Sequence, residues 1–450
     1  MAHMDDLIFV TASNPDRFRD KDIQRTVRKR VMRDIGKTRR KSKHTPAVTF
    51  VWQQYTLPES PSSCLGSNPF PVEIDHRGLE LIHFMNAEAE YNYRPFRKIW
   101  FSMALSDESA FILCKANAAM FLEEAQHPDK FRYETCQETL TYYGQCVRQV
   151  TERLSNPQER TSEGIITCIL GLICHDLYVG TLDRWAYHIE GLAQVIKIRG
   201  GFHGLDERVQ LFASWFDVLG SVVKDSLPNL PTSSAYLDRL VEDARTPKPF
   251  EYLFDELEGS SGEFESPVAI LRRVRVLAEY INGRCSQPGF WNAEDDMSPL
   301  QVLAPITHDL LSLPRVDELA SDEFEIVRET MRLALLILLC RLKATYGFSA
   351  VEMTTLQNKF IRFVGNTKVI HESLLFQRLQ LWALVTVTML NPSGPGRDLL
   401  IGKIFLCVRS LGLPDGQSTI EAARDIIWIE IISKDTVGQL VHDIDSGAHD

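Results

Sequence analysis

From about Arg77 to the end of the chain, apolar side chains recur at the helical period, and many stretches are apolar on more than one side. "GIITCILGLICHDLYV" (Gly164–Val179) and "ETMRLALLILLCRL" (Glu329–Leu342) show this most strongly. A helix without a polar face has no stable place on a surface and must be enclosed by other helices. The pattern predicts helices near 77–91, 98–105, 107–124, 129–154, 161–178, 181–199, 205–224, 233–244, 267–283, 299–310, 320–346, 354–363, 367–390, 395–411 and 417–431. No strand series and no exact repeat interrupts them. The expected fold class is all-α: a large multi-helix bundle of antiparallel helix pairs, with a basic N-terminal segment. A hydrophobic content of 44% over 450 residues is enough for a substantial core. The longest apolar runs, "IITCILGLIC" and "LALLILLC", are too short to span a bilayer, and no membrane partner is expected.

Charge divides the chain. The net charge is −11, yet residues 1–50 carry +7 and the other 400 carry −18. "RTVRKRVMRDIGKTRRKSKH" holds Arg25, Arg28, Lys29, Arg30, Arg33, Lys37, Arg39, Arg40, Lys41 and Lys43 against one acid, Asp34. Ile23, Val27, Val31 and Ile35 recur every four residues, so a helix from an Asp20 cap to about Gly36 has one apolar stripe and basic remaining faces. "PESPSSCLGSNPFPVE" then reads as a linker. The expected organisation is 1–76, a basic N-terminal segment and linker, followed by 77–450, the helical body. The block can contact nucleic acid, address the chain to the nucleus, or be a solvated helix face. A body of −18 repels nucleic acid, so any phosphate contact falls to residues 25–43.

One insertion departs from the helical pattern. "KPFEYLFDELEGSSGEFESP" carries six acids from Glu251 to Glu265, interleaved with Phe250, Tyr252, Phe254 and Phe264. Such a stretch resembles an activation segment, or else it is a solvated interhelix loop. The nine cysteines are scattered, without a C-x-x-C pair, as suits free buried thiols in a reducing compartment.

A search for chemistry assigns no catalytic residue, no metal ligand and no cofactor. His188 has Glu190 two residues on, which points away from it on a helix. The Pro-Cys-x-x-Cys that completes a zinc deaminase is absent. Cys174, His175 and Asp176 are adjacent, and helical neighbours lie about 100° apart, so they make no local triad. "GSSG" at Gly259–Gly262 lacks the lysine of a phosphate loop.

The ordered motifs resemble the fungal-specific transcription factor domain family. "FVTASNPDRFRDKDIQRTVRKRVMRDIGKTRRK", "LGSNPFPVEIDHRGLELIHF" and "IWFSMALSDESAFILCKANAA" are similar to its opening and to the start of its helical middle region. "DRWAYHIEGLAQVIKIRGGFHGL" is similar to its Trp-x-x-His-x-x-Gly-Leu followed by Arg-Gly-Gly, and "ASWFDV", "LQLWALVTV" and "DIIWIEII" follow in order. The resemblance implies an all-α regulatory body and a structural role for Trp185, His188, Gly191, Arg199, Gly200 and Gly201. It implies a nuclear location, with a cytoplasmic one as alternative. The implied partners are other regulatory proteins, weak non-specific nucleic acid through residues 25–43, and a lipophilic small molecule. Many members begin with a six-cysteine zinc cluster, whereas the first cysteine here is Cys64. The expectation is a regulator without its own zinc cluster. The alternative is a helical small-molecule sensor or repurposed biosynthetic enzyme with an apolar interhelix pocket.

If the basic helix touches DNA, one face meets about 4–6 phosphates, and affinity falls with salt at a slope near −0.9 per phosphate. Gel shifts at two salt concentrations are expected to show scrambled and promoter DNA binding alike. Replacing Arg28, Lys29, Arg30 and Arg33 by Gln removes most of that binding.

Overall fold

The computed structural model describes residues 70–87, 96–243, 265–291, 296–316, 322–348, 350–367 and 371–447. The basic block 25–43 and most of the acidic, aromatic insertion lie outside the described residues. Asn68–Asp450 is a compact unit in its own right. Among the described residues there are seventeen α-helices and no strand, so the chain is all-α, as its periodicity predicts.

Two largely buried helices, Glu163–Val179 in the first half of the body and Glu323–Thr345 in the second, organise it. The first half comprises α1 (His76–Ala87), α2 (Arg97–Ala104), α3 (Glu108–Gln126), α4 (Gln137–Leu154), α5 (Glu163–Val179), α6 (Leu182–Arg199) and α7 (Glu207–Lys224). Every residue of α5 from Ile165 to Asp176 is buried, and α3, α4, α6 and α7 pack around it. The second half comprises α8 (Ala235–Asp243), α9 (Glu265–Arg284), α10 (Ser298–Ser312), α11 (Glu323–Thr345), α12 (Met353–Asn366), α13 (Leu374–Leu390), α14 (Arg397–Leu411), α15 (Gly416–Arg424), α16 (Glu430–Ser433) and α17 (Val437–Gly447). Here α11 and α13 lie against each other, with α10 and α12 on α11 and α14 and α15 on α13. Contact between α7 and α10 joins the halves.

The helix ends follow local chemistry. Asp107 caps α3, accepting from the backbone N–H of Ser109 at 3.0 Å and Ala110 at 3.2 Å. Arg153 on α4 reaches back to the same carboxylate at 2.8 Å, tying the end of α4 to the start of α3. Some boundaries differ from the periodic pattern. The helix expected over 129–154 begins at Gln137, since Tyr133–Thr135 forms a 3₁₀ turn that sends Tyr133 inward. The helix expected from 367 begins at Leu374, capped by Ser373. The one expected over 417–431 breaks after Arg424, and α17 lies beyond it. The break is stabilised by other helices: Trp382 donates to the Ile427 carbonyl at 2.8 Å, and Asn282 to that of Trp428 at 2.8 Å. Those side chains satisfy carbonyls that a continuous helix bonds internally.

Glu329 and Arg332 stand in the middle of apolar α11, and both side chains are fully buried. Arg332 donates from Nε and Nη2 to Glu329, each at 2.7 Å. It also donates from Nη1 and Nη2 to Asp225 at 2.7 and 2.9 Å. Asp225 closes α7 in the left-handed region, with φ 46° and ψ 50°. Lys359 of α12 also binds it, and Arg315 lies 3.5 Å away. Burial pushes the Asp225 carboxyl up, but the hydrogen bonds and charges of Arg332 and Lys359 outweigh it and hold the group far below the usual carboxylate range.

Asp225→Asn keeps a residue tolerant of the left-handed conformation but leaves buried Arg332 and Lys359 with Glu329 as their one remaining carboxylate. It is expected to cost about 3–5 kcal/mol in urea unfolding. Because the folded carboxyl is depressed, its contribution is fully present above the unfolded value of about 3.9 and is lost as pH falls toward the folded value.

Candidate functional site

The signature region folds into a buried polar clamp where α3, α4, α5 and α6 meet. His175 and Asp176 follow each other on α5 and therefore face different neighbours. His175 Nδ1 lies 2.6 Å from Asn117 Oδ1 and Nε2 lies 2.9 Å from the Tyr133 hydroxyl. One neutral tautomer satisfies both, with Nδ1–H donating and Nε2 accepting. Burial pushes its pKa down to about 3, helped by Arg184 and His188. Tyr143 of α4 packs on the same ring, with centroids 4.9 Å apart.

Asp176 faces α6. Its Oδ1 lies 2.6 Å from Arg184 Nη2 and accepts from the Thr181 hydroxyl at 3.2 Å. Its Oδ2 lies 3.4 Å from His188 Nε2. The side chain is fully buried, and burial lifts the carboxyl to about 6 against the pull of Arg184. The Arg184 guanidinium sits over the rings of Tyr143 at 5.1 Å and Tyr133 at 5.7 Å. His188 is 3.5 Å from the Tyr143 hydroxyl, and burial followed by Arg184 lowers its pKa to about 4. At neutral pH the clamp thus contains two neutral imidazoles and one carboxylate–guanidinium pair. Cys174 packs in the hydrophobic core next to it rather than into it. Burial also raises the hydroxyl pKa of Tyr133 and Tyr143, which makes both poor nucleophiles. The arrangement fastens four helices through hydrogen bonds and one ion pair.

Of the other signature residues, Trp185, Arg199, Gly200 and Gly201 serve the packing and ends of α5, α6 and α7. Trp185 donates to the Phe216 carbonyl at 3.0 Å. Gly220 of α7 lies under its indole, where a Cβ would fall 2.0 Å from the ring. Arg199 Nη1 donates to the Thr161 carbonyl at 2.7 Å. Gly200 and Gly201 take φ of 92° and 106°, and the Gly201 N–H bonds to the Ile196 carbonyl at 2.9 Å, closing α6 in a Schellman turn. Gly191 has nothing within 4 Å of its Cβ position. Arg25, Arg28, Lys29, Arg30, Arg33, Lys37, Arg39, Arg40 and Lys41 all lie outside the described residues.

A cavity of about 20 Å³ has Trp215, Val218, Leu303, Leu336 and Leu339 among its walls, together with the buried ion pair Lys343–Glu352. That volume holds about one water molecule. Among the described residues no group of three or more His, Cys, Asp or Glu is placed to hold a metal ion, and no helix is long and apolar enough to cross a membrane.

Sequence reasoning places His188 and the glycines but misses Asn117, Tyr133, Tyr143, Asp176 and Arg184 as a set, because they come from four helices and a 3₁₀ turn. A usable signal exists in the charges: Asp176 within α5, and Glu329 and Arg332 within α11, interrupt otherwise apolar helices. A charge in such a place demands a partner from elsewhere.

A family model described as the fungal-specific transcription factor domain matches residues 84–359. A stretch of 103 residues is 27% identical to the phomenoic acid biosynthesis cluster-specific transcriptional regulator of Leptosphaeria maculans. It covers 21% of this chain and 19% of that regulator, so the chain spans about one fifth of its relative's length. No solved structure matches the chain.

The clamp makes stability depend on pH. His175 and His188 are depressed in the fold, so the unfolded chain takes up their protons first as pH falls below about 6.5. Asp176, raised to about 6, acts in the opposite sense between that value and about 3.9. Two histidines outweigh one carboxylate. The thermal midpoint is expected to fall from pH 6.5 to pH 4, and His188→Gln to reduce that fall in a calorimetric series.

Proposed function

The chain belongs to the fungal-specific transcription factor domain family, and from that premise we propose a transcription regulator whose output passes through protein partners of the helical body. The observation that carries this reading is the extent of the family match, which includes the α3–α6 clamp and the Asp225 network and ends on Lys359. The likeness to a cluster-specific transcriptional regulator supports the same class. The clamp has the chemistry of a fastening rather than of a catalyst, which favours regulation over turnover.

In this reading the basic block 25–43 is a nuclear address that also contacts phosphates without sequence preference. Base readout needs a placed recognition element, and the six-cysteine spacing of a zinc cluster does not occur within these 450 residues. A ligand of the body is a lipophilic molecule only if the cavity between α7, α10 and α11 widens. Its present volume suits one water, and Lys343 and Glu352 have to part for a larger guest.

Fusing residues 68–450 to a heterologous DNA-binding module in fungal cells tests the proposal. Reporter transcription is expected to change about threefold or more against the module alone, and no change overturns the regulator reading. In parallel, residues 1–45 fused to a fluorescent protein are expected to concentrate it in the nucleus.

A further inference from the structure

The outer face of α6 is left unexplained by the fold. The helix buries Trp185, Ile189, Leu192, Val195 and Ile196 against its own core. On the opposite side Tyr187 is 75% exposed and Ile198 58% exposed, and both are large apolar side chains. Between them lie Gly191 and the exposed Gln194. The four positions step by +4, +3 and +4, which is the spacing of a coiled-coil seam and covers about 16 Å along the axis. Gly191 is the informative member. A glycine inside a helix costs about 0.5–1 kcal/mol against alanine, and nothing among the described residues approaches its Cβ position closely enough to require it. Its smallness therefore serves a close approach from outside.

We propose that this face pairs with the same face of a second copy of the chain, as two antiparallel helices about a two-fold axis. In that register Tyr187 of one copy packs on Ile198 of the other, and Gly191 receives Gln194. The flanking charges then complement one another: Glu190 of each copy meets Lys197 of the other. Neither Glu190 nor Lys197 has an ion-pair partner among the described residues, and both are exposed. A two-fold axis repeats every contact, as an isologous interface requires. A parallel pairing instead puts this flank of the two copies on opposite sides of the seam and forms neither Glu190–Lys197 pair, which disfavours it. One seam of this length is smaller than a standard interface, so the association is of micromolar strength.

Sedimentation equilibrium of the whole chain between about 1 and 200 µM tests this, a range chosen to bracket micromolar association. Wild type is expected to shift from one chain mass to two. Glu190→Lys places four cations on the seam and is expected to weaken the dimer about tenfold or more. Glu190→Lys with Lys197→Glu restores both pairs and is expected to restore dimerisation. Gly191→Arg has open space in the single chain and raises helix propensity, so it is expected to keep the wild-type thermal midpoint while abolishing the dimer. A wild-type chain that stays monomeric throughout overturns the proposal. So does a dimer that persists in both Glu190→Lys and Gly191→Arg, or a charge-swapped double variant that fails to recover.

Discussion

Arg332 is a permanent cation with no exposure, in the middle of a helix that has no wet face. Removing such a group from water costs several kcal/mol even after relaxation. The fold offsets this with two carboxylates, one from a single turn away on α11 and one from the end of α7. Asp225 reaches it because α7 ends in a left-handed turn that swings the carboxylate over α11. Lys359 binds the same carboxylate from α12. Three helices of distant sequence position are thereby fixed to one charge centre, and the first half of the body is joined to the second by a bond with defined geometry. Apolar packing alone permits sliding, whereas a two-pronged guanidinium–carboxylate contact does not.

The α3–α6 clamp follows the same rule on a smaller scale. Asp176 is held on enclosed α5 because α6 supplies Arg184, and His175 because Asn117 and Tyr133 bond to both of its nitrogens. Most of these groups are bonded to a neighbour, with the buried Asp176 Oδ2 left without a hydrogen bond, so the cluster contributes chiefly to rigidity. The clamp thereby holds four helices in fixed relation to one another. It also explains how α6 can be anchored firmly on one side while its other side presents Tyr187 and Ile198 to solvent.

Much of the fold was legible before any coordinates, and the limits of legibility have definite causes. The enclosed helices follow from apolar periodicity, and the stop of α6 from Arg199-Gly200-Gly201, since a left-handed turn favours glycine. The start of α4 was misplaced because nothing local distinguishes residues 129–136 from a helix; Tyr133 leaves it to bond His175, 42 residues away. The break after Arg424 was missed because Trp382 and Asn282 satisfy its carbonyls from far along the chain. The clamp was only half visible. His188 stood out as a motif residue, but its neighbours Asp176 and Tyr143 belong to helices of their own.

The all-α class, the identity of the buried helices, the contrast between a basic front and an acidic body and the likeness to a regulator family are written in the chain alone. Each is a property of composition, period or ordered motif, and each is local or additive along the chain. Which charges neutralise one another inside the body, where a helix gives way to a turn and which face of α6 is left open emerge from the packing of distant helices. Those outcomes depend on desolvation, and desolvation is set by which distant helix arrives at a given side chain.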